Sequence, residues 1–141
     1  MKEQDTIKLR TIQRTEDDSS ESELFTDGKY NKRDDGGWEI VYEDTEATGF
    51  EGSVTRIQVT DDNVVSIIRS GSSNSNLMLE VGKKHFCLYS TPFGDMTMGV
   101  RTSLIENKLN QDGGSLHLKY TLDINSAYLS ENEVIMEVIK N

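Results

Sequence analysis

Cysteine and proline each occur once in this chain, at Cys87 and Pro92. A lone cysteine excludes an intrachain disulfide, and an unpaired thiol stays reduced in the cytosol, so a cytoplasmic location is expected. A lone proline leaves the backbone almost all of its hydrogen-bond donors, as a closed β ladder requires. Long hydrophobic runs are missing as well. Nothing approaches the ~20 apolar residues that span a bilayer as a helix, and the longest candidate, residues 63–70, is broken by Ser66. Positive charge is scarce: 15 basic residues face 25 acidic ones, a formal net charge of −10. That balance repels phosphate backbones and anionic lipid, and no run of Lys and Arg offsets it, so neither nucleic acid nor membrane is an expected partner. The opening residues, Met1 to Arg10, alternate charged and apolar side chains and carry no apolar stretch of the kind a secretory signal needs.

What is present is an ordinary globular balance, with 34% hydrophobic and 28% charged residues over 141 positions. That length suits one domain, 1–141, large enough to bury a core of its own.

The dominant pattern has period two, the signature of half-buried strands. Ile7, Leu9 and Thr11 alternate with Lys8, Arg10 and Ile12. The acidic, serine-rich residues 16–23 read as a mobile hairpin loop, with Leu24 to Tyr30 as the returning strand. Asp34 to Gly37 is a turn signal, since both glycines can take positive φ. Trp38, Ile40 and Tyr42 then share one face of a third strand. Residues 44–52 read as the longest internal loop. Thr55, Ile57 and Val59 form a clean amphipathic strand, and Asp61 to Asn63 turns the chain into Val64 to Ser70. Further strands are expected at Asn76 to Val81, Lys84 to Thr91 and Asp95 to Ile105. In the last of these, Met96, Met98, Val100, Thr102 and Leu104 lie on one face. Leu104 to Leu109 is compatible with a helical turn. Asp112 to Gly114 turns the chain again, Leu116, Leu118, Tyr120, Leu122 and Ile124 face inward, and Glu133 to Ile139 closes the chain. Nine or ten short strands separated by turn residues point to an all-β fold, a single antiparallel up-and-down barrel.

The stretch from Tyr42 to Tyr120 carries a further pattern: Tyr42-Glu43, Gly52-x-Val54-Thr55, Arg69-Ser70-Gly71, Tyr89, Phe93-Gly94, Thr102, and Gly114 leading to Tyr120. In order and spacing it resembles the YwiB-like family of uncharacterised bacterial proteins. The resemblance implies a small cytoplasmic barrel of calycin (lipocalin-like) type. It implies no activity, because a fold does not fix a function.

Catalytic and metal signals are weak. His85 and Cys87 stand two apart on one strand and could supply two metal ligands, but a site needs a third and usually a fourth. His117 lies on the outward phase. Residues 71–75 lack the second glycine of a nucleophile elbow. Residues 49–52 lack the lysine and helix of a phosphate loop, and the nearby acids Glu39, Glu43, Asp44, Glu46 and Glu51 lack calcium-loop spacing. No cofactor, metal or enzyme activity is expected.

A set of polar residues on apolar faces is more informative: Tyr42, Thr55, Thr102 and Tyr120 by strand parity, with Arg69 in phase with Val65 and Ile67, and with Tyr89. A buried hydroxyl without a partner costs of order 1–3 kcal/mol. These groups must therefore bond one another, water, or a ligand in the barrel mouth. A buried guanidinium needs a carboxylate, for which Glu43 and Glu80 are the candidates, or a bound anion. The leading expectation is a barrel that binds a small, partly apolar or amphipathic molecule in its lumen. The alternative is a filled-core interaction or structural module, including a homo-oligomer, with outward Ile12 and Ile135 as the place to look.

Overall fold

A computed structural model describes residues 4–46, 51–72, 74–91 and 94–140, without the side chains of 88–91 and 95. Among these residues there are ten strands and no α-helix: β1 (Asp5–Arg14), β2 (Ser19–Lys32), β3 (Trp38–Glu43), β4 (Ser53–Val59), β5 (Val65–Gly71), β6 (Ser75–Leu79), β7 (Lys84–Thr91), β8 (Gly94–Asn110), β9 (Gly113–Ile124) and β10 (Ala127–Ile139). They form one antiparallel sheet in the order β6-β5-β4-β3-β2-β1-β10-β9-β8-β7. Every consecutive pair is laddered except β6 and β7, and β10 returns to pair with β1. The result is an up-and-down barrel, nearly closed, whose remaining seam lies between β6 and β7. Across it runs one isolated bridge, Val81 with Thr102 of β8.

The turns follow from local chemistry. Gly36 (φ 93°) and Asn63 (φ 62°) hold the left-handed conformation at the β2–β3 and β4–β5 corners. Glycine adopts that conformation freely and asparagine tolerates it.

Period-two burial holds along the strands. Ile7, Ile40, Ile57, Val59, Val65, Leu79, Val100, Leu116, Leu118 and Met136 are fully enclosed and pack into one core with Leu9, Tyr30, Tyr42, Ile67 and Val138. Trp38 is half-buried on this inner side, its ring stacked on Tyr30 at 5.0 Å and 11°. The Tyr30 hydroxyl donates to the Asn110 carbonyl at 2.8 Å. Burial raises its pKa, so it remains a donor.

Three expectations are corrected. Of the acidic run only residues 16–18 lie in the turn; Ser19 to Glu23 belong to β2, paired residue by residue with β1. The register sets Arg10 opposite Glu23 and beside Glu21, which accepts from its guanidinium at 2.5 Å, so acidic residues there answer basic ones across the ladder. Leu104 to Leu109 is strand, the far half of a 17-residue β8. A register shift between Thr102 and Leu104 inserts one extra residue, Ser103, and reverses the phase beyond it. Ile105 and Leu109 therefore pack on the core in place of Leu104. Ile12 and Ile135 lie on the outward phase and are half-buried, and the exposed large apolar side chains include Phe25, Met78, Val81 and Phe86.

One close approach lets the strands around Tyr42 draw together. Gly28, on the inward phase of β2, pairs with both Asp5 and Tyr42. A Cβ there would lie 2.7 Å from the Val41 carbonyl oxygen and 3.0 Å from Ile7 Cγ1. Overpacking of this kind costs about 1–3 kcal/mol. Gly28→Ala is therefore expected to lower the urea midpoint correspondingly, and an unchanged midpoint would show that the sheet yields freely at this point.

Candidate functional site

The ladder across β3, β4 and β5 places Tyr42 opposite Thr55, and Thr55 opposite Arg69. All three fall on the inward phase, so the polar groups meet inside the barrel. The inward phase persists past the end of β3: Asp44 continues the ladder through its backbone N–H, which donates to the Ser53 carbonyl at 2.8 Å, and its carboxylate is enclosed. The Thr55 hydroxyl donates to Asp44 Oδ2 at 2.6 Å and accepts from Arg69 Nε at 3.1 Å. Arg69 Nε is 3.6 Å from the same carboxylate oxygen, with side-chain exposures of 18% for Arg69 and 0% for Asp44. Thr55 thus sits as a hydroxyl relay between the two charges of a buried pair.

Two tyrosines extend the layer. Burial, reinforced by the Asp44 charge, pushes the Tyr42 hydroxyl up to about 12, against the smaller opposing effects of Arg69 and a hydrogen bond with Thr55. Burial likewise raises Tyr120, opposed by Arg69 from across the lumen. Both phenols are therefore protonated donors at neutral pH. Thr102 of β8 is the register partner of Tyr120 and is 4% exposed. Its hydroxyl has no hydrogen-bond partner among the described residues. An unsatisfied buried hydroxyl costs about 1–3 kcal/mol.

Four sequence-predicted residues, Tyr42, Thr55, Arg69 and Tyr120, converge in this layer, and Thr102 flanks Tyr120. The side chain of Tyr89 lies outside the described residues. The carboxylate answering Arg69 is Asp44. Glu43 is exposed on the opposite phase, and Glu80 bonds His85 at 3.0 Å and Lys83 at 3.4 Å. By composition Asp44 reads as loop, although carrying the parity of Trp38, Ile40 and Tyr42 two residues further finds it. Asp5 escapes sequence reasoning in the same way: it is buried on the phase of Ile7 and aligned through Gly28 with Tyr42.

The remaining chemistry-bearing residues lie apart from this layer. His85 donates to or accepts from Glu80, and His117 pairs with Glu133 at 2.5 Å; each contact holds its glutamate below the usual carboxylate range. Burial pushes the Cys87 thiol up, which makes it a poor nucleophile. Among the described residues no three of His, Cys, Asp and Glu gather as metal ligands. A surface cleft of about 200 Å³ is lined mostly by outward-facing side chains, among them Arg14, Lys119, Thr121, Glu131 and Glu133, and also by Tyr120.

The fold and this layer invite comparison with known proteins. A family described as "Domain of unknown function (DUF1934)" matches residues 7–136. The chain belongs to that family. Among solved structures it is similar to the crystal structure of the YwiB protein from Bacillus subtilis, with a TM-score of 0.83 at 16% sequence identity, covering 98% of this chain and 92% of that one. At that identity the likeness establishes the barrel fold and nothing of its chemistry. A search of the curated proteins finds no match. Among the described residues no helix is long and apolar enough to cross a membrane, which says nothing of strands.

The layer makes two outcomes testable. Asp44→Ala leaves the Arg69 guanidinium without its carboxylate and should cost roughly 3 kcal/mol in urea unfolding, the low end for a broken buried pair because Arg69 keeps some solvent; a loss under about 1 kcal/mol would mean the pair is solvated. The Tyr42 hydroxyl titrates near 10 when unfolded and about 12 when folded. Its contribution is whole below pH 10 and is lost as pH rises from 10 towards 12, because only the unfolded chain releases the proton in that window. The loss is about 2.7 kcal/mol at two pH units of separation. Tyr42→Phe should make the stability profile shallower over that window, with the buried Tyr30 and Tyr120 supplying the remaining slope, and an unchanged slope would reject the assignment.

Proposed function

We propose that this barrel is a non-catalytic carrier or sensor of a small, partly apolar molecule, held in the lumen with its polar end at the Tyr42–Arg69–Tyr120 layer. The observation that supports this reading most directly is the Thr102 hydroxyl, buried beside Tyr120 without a partner among the described residues. A core that serves packing alone has no use for such a group, since valine fills the same volume without the desolvation cost. A ligand acceptor or donor would complete it. The fully enclosed aliphatic core bounds the occupant's size. The occupant is accordingly small. A cytosolic setting fits the single free thiol.

One observation favours a second reading. β6 and β7 end the sheet, and exposed Met78, Val81 and Phe86 (65% accessible) lie on or between them. Unpaired edges beside apolar side chains are what an interaction module would offer to a strand of a partner or of a second copy.

The Thr102→Val variant separates the two. Under the ligand reading it raises the urea midpoint of the empty protein by the equivalent of about 1–3 kcal/mol. It also lowers the occupancy of any small molecule that native mass spectrometry detects on the wild-type protein purified from its native host. Wild-type protein that carries nothing, yet elutes as a dimer or with a partner chain, would transfer the case to the interaction module.

A further inference from the structure

Resting on the ligand reading above, we infer that the head group accepted by this layer is an uncharged hydrogen-bond acceptor, such as an amide or ester carbonyl on an apolar body, and not a carboxylate or phosphate. Charge is the first consideration. A buried guanidinium ordinarily invites an anionic ligand, but here Arg69 is already answered by Asp44 at 3.6 Å, with Thr55 bonded to both. The carboxylate of Asp44 and the guanidinium of Arg69 thus already answer each other. A ligand anion would add a further negative charge to a low-dielectric interior whose guanidinium is already engaged, a severe desolvation cost. The whole chain, at −10, adds to the repulsion.

Hydrogen-bond polarity supplies the second half. Tyr42 and Tyr120 bring phenolic hydroxyls, and Thr102 brings a hydroxyl without a partner among the described residues. Hydroxyls of this kind complete a carbonyl oxygen at no cost in charge. The isolated bridge from Val81 to Thr102 places Thr102 at the turn end of the β6–β7 seam, where Val81 is 53% accessible. An apolar body could therefore lie along the seam side while its carbonyl turns inward.

The test uses three probes that share an alkyl chain and differ only in head group: octanamide, octanoate and octylamine, titrated into the full chain at neutral pH by isothermal calorimetry. The expected result is that octanamide binds at least tenfold more tightly than either charged probe and that Thr102→Val reduces its affinity about tenfold. Asp44→Asn, which leaves Arg69 with less negative charge around it, should shift the ranking towards octanoate. Equal or tighter binding of octanoate by the wild-type chain would overturn the neutral-head assignment while leaving lumen binding intact, and tighter binding of octylamine would do the same by showing that Asp44 governs recognition. Failure of all three probes to bind would instead overturn the lumen-ligand reading itself, and this inference with it.

Discussion

The ladder between the first strand and the last holds everything else in place. Thr6 through Arg14 pair with Ile139 through Glu131, an antiparallel match formed by residues more than a hundred positions apart. Two meanders, β2 to β6 on one side and β9 to β7 on the other, hang from it. Without that ladder the chain would be two sheets with apolar faces exposed. With it, those faces enclose Ile7, Ile57, Leu116, Met136 and their neighbours in one core. Ordering so distant a pair before local contacts can reward it is slow, which marks this barrel as a late-closing fold.

The same closure creates the polar layer. Strand parity sends alternate residues inward whether or not they are apolar, and at Tyr42, Thr55, Arg69 and Tyr120 the inward side chains are polar. The sheet resolves most of this internally: Thr55 links Asp44 to Arg69, and burial keeps the phenols protonated. Thr102 is the group left over among the described residues. The layer is nearly satisfied by its own members, with one hydroxyl outstanding among the described residues.

Much of this architecture is legible in the residue order, and the reason is parity. Alternation along β3, β4, β5 and β9 is strict, so the inward faces of Trp38 to Tyr42, Thr55 to Val59 and Leu116 to Leu122 follow from the sequence alone. Parity fails where the chain breaks it. The extra residue at Ser103 exchanges Leu104 for Ile105 on the inner face, and no composition signal announces a bulge of that kind. For the counter-charge of Arg69 the sequence points to Glu43 and Glu80, because Asp44 stands beyond the end of β3 among loop-like residues. There, a single backbone bond to Ser53 extends the pattern by two positions. The acidic residues after Asp18 read as a loop by composition, yet their register with Arg10 and Lys8 makes them ladder residues. Composition describes residues singly, and a ladder is a property of pairs.

The missing ladder between β6 and β7 gives the barrel a mechanical asymmetry. Around the rest of its circumference, prising strands apart means breaking a row of backbone hydrogen bonds together. At the seam the sheet is tethered by the short turn at residues 80–83, where Lys83 N–H bonds the Glu80 carbonyl, and by the single bridge at Val81. The cylinder is therefore a split ring, stiff opposite the cut and compliant along it, so that thermal breathing concentrates in one direction. The two halves are hinged about the β1–β10 spine, and the bridge that still joins them ends on Thr102, whose hydroxyl the described interior leaves unanswered.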